Sequence, residues 1–114
     1  MFGLGKGHQH KEVSPAELKA MLADGSAMVI DVREADEFAA ERIEGAINMP
    51  LSQFDPAQLP DAGGKTVVLQ CAGGKRSGMA LDRCGTAEAA TDTHLAGGLG
   101  AWKAAGLPIV RGGD

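Results

Sequence analysis

The chain has 114 residues, enough to bury one hydrophobic core but not two. Its 15 acidic against 11 basic residues give a net charge of -4, which argues against a broad phosphate-binding surface and so against nucleic acid as a partner. No apolar stretch approaches the ~20 residues of a membrane helix, and the N-terminus lacks the apolar core of a signal peptide, so a cytoplasmic protein with no membrane partner is expected.

Residues 1–11 are rich in Gly, His and Lys without periodicity and are expected to form a flexible N-terminal tail ahead of one domain over 12–114. His8 and His10 in that tail lack the further ligands of a closed metal site, so they are read as solvated and no metal is expected. Ser14, Pro15 and Glu17 make a helix start: an N-cap, a proline in the first turn and a capping-box glutamate. Leu18, Met21 and Leu22 give that helix an apolar face, and Gly25 stops it. Residues 27–31 read as a buried strand, 34–42 as a short amphipathic helix with Phe38 inward, and 46–49 as a further strand. A loop with at most one helical turn is expected over 50–60. The β-branched run 66–70, introduced by the turn residues Gly63, Gly64 and Lys65, is the next strand. A helix from about Ser77, a strand over 91–95 and a closing helix over 98–105 with Trp102 in the core complete the chain. Strands alternating with helices imply a parallel sheet covered on both faces, an α/β architecture.

Cys71 stands straight after the 66–70 strand, at a C-terminal tip, where open parallel sheets bind ligands because helix N-termini aim free N–H groups there. Gly73 and Gly74 let the backbone curl its N–H groups around the sulfur as an anion nest, and Lys75 and Arg76 add positive charge. Ser77 is expected to cap the following helix, whose positive end also favours a thiolate. These effects lower a cysteine pKa, so Cys71 is read as a reactive nucleophile rather than a small buried hydrophobe. Cys84, seven residues past Ser77, lies about 10 Å further along a helix, too far for a disulfide with Cys71. It shares a face with Ala80, Leu81 and Ala87 and is expected to pack against the sheet, with a resolving thiol as the minor alternative.

The pattern CxxGxRS, in Cys71, Gly74, Arg76 and Ser77, resembles the active-site loop of the rhodanese, or sulfurtransferase, domain. Two further blocks are similar to that family: IDVR at 30–33 with Glu37 and Phe38 followed by GAINMP at 45–50, and AGGLGAW at 96–102. The resemblance implies a rhodanese-like three-layer domain whose central sheet has five parallel strands and helices on both faces. Asp31, Arg33 and Glu37 read as structural charges that fix the loops, with Asp31 and Arg33 supporting the site; the glycines of the last block read as a tight strand-to-helix turn. Three positions depart from the family's pattern. Arg42 stands where histidine is common, Glu88 where a small turn residue is usual, and Asp92 where an apolar residue would support the last strand.

By this resemblance the chain is a sulfurtransferase. Cys71 would take sulfane sulfur from a small anionic donor such as thiosulfate, carry it as a persulfide and deliver it to cyanide or a thiol. Lys75 and Arg76 would hold the donor and the leaving sulfite, the N–H groups of Ala72 to Ser77 would shelter the persulfide, and no cofactor is implied. Two alternatives stand beside it. A persulfide relay or binding module would hand sulfur to a partner protein. Cysteine-dependent phosphatases and arsenate reductases also combine Cys, a glycine-containing loop and Arg, but by resemblance their loops are longer, whereas only Ala72, Gly73, Gly74 and Lys75 separate Cys71 from Arg76 here.

Overall fold

The computed structural model describes residues 10–112. In chain order its elements are β1 (Lys11–Val13), α1 (Pro15–Ala23), β2 (Ala27–Asp31), α2 (Ala35–Ala40), β3 (Glu41–Arg42), β4 (Ile47–Asn48), β5 (Thr66–Gln70), α3 (Lys75–Thr86), β6 (Thr93–Leu95), α4 (Gly98–Ala104) and β7 (Val110–Arg111). The central sheet runs β1-β6-β5-β2-β4 with every neighbouring pair parallel, the five-stranded α/β arrangement that the resemblance implied.

Alternation along the strands divides the core into two layers. Ala27 and Val29 of β2, Val68 of β5 and Leu95 of β6 pack with Leu18 of α1 and with Leu99 and Trp102 of α4. Ile30 and Leu69, one step out of phase, pack with Ala80, Leu81 and Cys84 of α3 on the other face. The same alternation carries the position after β5, Cys71, to the α3 face. The expected capping box opens α1: the Ser14 hydroxyl accepts the Glu17 N–H at 3.1 Å, and the Ser14 N–H donates to the Glu17 carboxylate at 2.7 Å.

Several expectations need correction. β1 begins at Lys11, so the boundary drawn between residues 11 and 12 falls inside that edge strand; residues 1–9, and with them His8, lie outside the described residues. His10 is not simply solvated, since its Nε2 lies 2.7 Å from Asp82 Oδ1 on α3. The helix expected over 34–42 stops at Ala40 because Glu41 turns extended and pairs, with Arg42, antiparallel to β7. Phe38 is only half-buried beneath the Arg42 guanidinium, and Ile43 just beyond takes the core position instead. Residues 50–60 hold two 3-10 turns, Leu51–Gln53 and Pro56–Gln58, the second capped by the Asp55 carboxylate on the Ala57 N–H at 3.0 Å. Cys84 is buried with Ala80 and Leu81, but Ala87 lies beyond the helix end and is exposed.

Asp92 does not spoil the last strand, because it sits one position ahead of β6. Its carbonyl accepts the Lys11 N–H at 2.8 Å, and its carboxylate takes the Thr93 hydroxyl at 2.8 Å. Glu88 has φ 58°, the left-handed turn conformation for which glycine or asparagine is the easier choice. Among the described residues no helix is long and apolar enough to cross a membrane.

Candidate active site

β5 delivers Cys71 to the carboxyl edge of the sheet, where the side chain is 1% exposed. The turn that follows is tighter than the sequence suggested. Gly74, at φ 106°, lets the chain enter α3 at Lys75, two residues before Ser77. Gly74 rather than Ser77 is therefore the N-cap, and Ser77 falls within the first turn with its hydroxyl free to point back at the sulfur.

The Gly74 N–H donates to Cys71 Sγ at 3.0 Å, and the Ser77 hydroxyl lies 3.6 Å from the same sulfur. Burial by itself pushes the thiol pKa up. The Ser77 N–H and hydroxyl and the N–H groups of Gly74 and Gly73 together outweigh it, holding the pKa below the ordinary thiol value. The nest thus consists of Gly73, Gly74 and Ser77. Ala72 faces elsewhere: its carbonyl accepts the Gly100 N–H at 2.9 Å, as the Cys71 carbonyl accepts the Leu99 N–H at 2.8 Å, and both bonds tie the loop to the start of α4.

The two cations of the loop differ. Arg76 is bound by both carboxylate oxygens of Glu37, at 2.7 and 3.0 Å, so its charge is neutralised within the protein. Lys75 is exposed and makes no ion pair among the described residues, which leaves it as the free cation of the rim. Reading the two as equivalent overlooked Glu37. The Arg76 guanidinium, aided by the Glu34 N–H and opposed by burial, holds the Glu37 carboxyl at about 2. A depressed carboxyl stabilises the fold above its unfolded pKa and loses that contribution as pH falls through the folded value. Glu37→Gln should therefore be less stable than the parent at neutral pH, by about 1 kcal/mol or less because the pair is partly exposed. That deficit should close as thermal unfolding is repeated from pH 4.5 down towards pH 2.

Asp31 and Arg33 lie beneath the loop as a buried pair. The guanidinium meets both carboxylate oxygens, with the Nη2–Oδ2 distance 2.8 Å, and Gln70 Nε2 donates to the same carboxylate at 2.6 Å. Arg33 also donates to the carbonyls of Glu37, within α2, and Glu41, just past its last residue, and so holds the C-terminal half of that helix. Neither side chain hydrogen-bonds to the sulfur. A cleft of about 570 Å³ opens beside the loop, lined by Arg33, Glu37, Glu41, Ala72, Leu99 and Lys103. Among the described residues no group of three or more His, Cys, Asp or Glu side chains is placed to hold a metal ion.

Sequence reasoning missed His94. Its Nδ1 lies 2.7 Å from Ser77 Oγ, and its Nε2 lies 3.4 Å from Glu12 Oε2. The available signal was the alternation of β6, which puts a lone histidine between Thr93 and Leu95 on the face that Cys71 shares.

A family model for the Rhodanese-like domain matches residues 14–105. An uncharacterized protein of Synechocystis sp. is 44% identical over 99 residues, 87% of this chain and 55% of that protein. The thiosulfate:glutathione sulfurtransferase of Homo sapiens is 47% identical over 45 residues, 40% of this chain and 39% of that protein. The alignments thus span about half, or less, of the length of these two relatives. Among solved structures, thiosulfate sulfurtransferase from Pseudomonas aeruginosa superposes with a TM-score of 0.77 at 26% identity, covering 98% of this chain and 21% of that one.

Proposed function

Because the chain belongs to the rhodanese-like domain family, we propose that it is a sulfurtransferase whose Cys71 carries sulfane sulfur, as a persulfide, from a donor such as thiosulfate to a thiol or cyanide. The observation that carries this reading is the Gly74 N–H on Cys71 Sγ at 3.0 Å, in a turn whose N–H groups and Ser77 hydroxyl lower the thiol pKa. The names of the human and Pseudomonas relatives point to the same chemistry.

The Cys71 thiolate attacks the outer sulfur of thiosulfate. A new S–S bond forms, the old one breaks, and sulfite leaves with the bonding pair. An acceptor thiolate or cyanide then attacks that outer sulfur, and Cys71 departs as the thiolate with which it began. Both half-reactions make or consume negative charge at Sγ, so the same preorganised N–H groups serve as nucleophile stabilisers in the first and leaving-group stabilisers in the second. The buried sulfur suits a donor that offers one protruding atom while its sulfonate stays at the rim beside Lys75.

Reduced protein incubated with thiosulfate should gain one sulfur on the Cys71 peptide by mass spectrometry. The added sulfur should be removed by cyanide and absent from Cys71→Ser. No added sulfur from thiosulfate or any other sulfane donor would overturn the reading.

A further inference from the structure

We propose that His94 is a positioning residue for Cys71, holding, through the Ser77 hydroxyl, the proton that the sulfur gives up. The register of the sheet builds the arrangement from three distant segments. Glu12 of β1 and Leu69 of β5 are both level with His94 of β6, and Cys71 lies two residues beyond Leu69 on the same face. The first turn of α3 lays Ser77 across them. The result is a file of groups: Cys71 Sγ to Ser77 Oγ at 3.6 Å, Ser77 Oγ to His94 Nδ1 at 2.7 Å, and His94 Nε2 to Glu12 Oε2 at 3.4 Å. Cys71, Ser77 and His94 are all buried.

A histidine held between a hydroxyl and a carboxylate could be a satisfied core residue and nothing more. What separates this one is the Ser77 proton, for which three acceptors compete: His94 Nδ1, Cys71 Sγ and the Gly74 carbonyl at 3.2 Å. With His94 neutral and its proton on Nε2, the hydroxyl donates to Nδ1 and turns its lone pairs to the sulfur, where it can accept the thiol S–H. When the thiol ionises, its S–H bond breaks and the proton bonds to Ser77 Oγ, while the original serine proton moves to Nδ1. One proton has passed from Cys71 to His94, the serine is unchanged, and its hydroxyl now donates to the thiolate. The imidazolium keeps Nε2–H towards Glu12, and the reverse shift reprotonates the thiol.

The charged surroundings of His94 are Glu12 on β1, the Cys71 thiolate beyond Ser77, and His10, whose ring centroid is 5.8 Å away and whose Nε2 is held by Asp82 of α3. Burial lowers the His94 pKa, Glu12 opposes this and His10 adds to it, so the ring is an acceptor at neutral pH. A thiolate facing it raises its affinity for the proton. Linkage then requires that the two groups titrate as a coupled pair.

The inference rests on Cys71 being the nucleophile, and its test uses no sulfur donor, so its failure is distinct from failure of sulfur loading. The rate of Cys71 alkylation by iodoacetamide, measured against pH, should show two inflections in the wild type and one in His94→Gln, with the rate at pH 7 about tenfold lower, equivalent to one pH unit. Ser77→Ala should also show a single inflection and be at least as slow as His94→Gln, because it loses the hydroxyl's own contact with the sulfur as well, and the double variant should be no slower than Ser77→Ala. Ring-nitrogen NMR should show the His94 pKa lower in Cys71→Ala than in the wild type. Superimposable alkylation profiles for His94→Gln and wild type, or an unchanged His94 titration in Cys71→Ala, would overturn the proposal.

Discussion

Gly98→Ala is expected to lower the unfolding temperature by about 10 °C or more and to abolish sulfur loading of Cys71 under conditions where the wild type loads fully. The added Cβ would stand 2.2 Å from the Cys71 carbonyl oxygen and 2.8 Å from the Ala72 carbonyl carbon. Both are backbone atoms, and they cannot swing aside as a side-chain tip would. Gly98 also has φ 59°, where an L side chain costs ~1–2 kcal/mol. Overpacking adds ~1–3 kcal/mol. Relief is possible only by moving α4 off the loop, which breaks the Leu99 and Gly100 N–H bonds to the Cys71 and Ala72 carbonyls. Those bonds set the direction in which the loop's own N–H groups face the sulfur. Gly106→Ala separates strain from contact, since Gly106 has φ 76° but nothing within 4 Å of its Cβ position. That variant should lose about 1–2 kcal/mol and keep full sulfur loading. If Gly98→Ala behaved like Gly106→Ala, the close approach of α4 would have no part in shaping the loop.

The contrast between Cys71 and His94 shows what the sequence made legible. Cys71 could be placed because its signals are local: a β-branched run before it, glycines and cations after it, all within a few positions. Asp31 and Arg33 were legible for the same reason, two charges at the tip of an apolar run having no solvent to pay for their separation. Ser77 was misplaced although its motif was recognised. A serine ahead of a helix reads as a cap, and only the left-handed φ of Gly74 shows that the helix has already begun. His94, Glu12 and the Arg76–Glu37 pair were invisible to local reasoning because each depends on register. Glu12 meets His94 through the parallel pairing of the first strand with the sixth, and Glu37 reaches Arg76 across 39 positions of sequence. The short β1 and β3 escaped notice because two or three residues carry too little periodicity to distinguish a strand from a tail or a helix end.

The Asp31–Arg33 pair should prove to be the costliest polar contact to break by removing one partner. Asp31 is 0% exposed and Arg33 4%, so neither can recover its hydration when the other is lost. Asp31→Ala would leave a buried guanidinium without its carboxylate and the Gln70 amide without its acceptor, for an expected loss of about 3–5 kcal/mol. Urea unfolding should show this as a lower midpoint at an unchanged slope, the sign that stability rather than compactness has changed. Replacing both partners, as Asp31→Leu with Arg33→Leu, removes the unpaired charge along with the pair and should cost less than Asp31→Ala alone. The double variant would still surrender the Arg33 bonds to the Glu37 and Glu41 carbonyls, so α2 should loosen and with it the Glu37 grip on Arg76. Sulfur loading of the folded protein should persist in both variants, because the Gly74 N–H and the Ser77 hydroxyl that face Cys71 belong to α3 and its turn. A double variant as unstable as Asp31→Ala would show that the contacts to α2, rather than the buried charge, carry the stabilisation. Loss of loading at temperatures where the variants remain folded would instead make the pair part of the sulfur chemistry, although the sulfur's hydrogen-bond partners are Ser77 and Gly74.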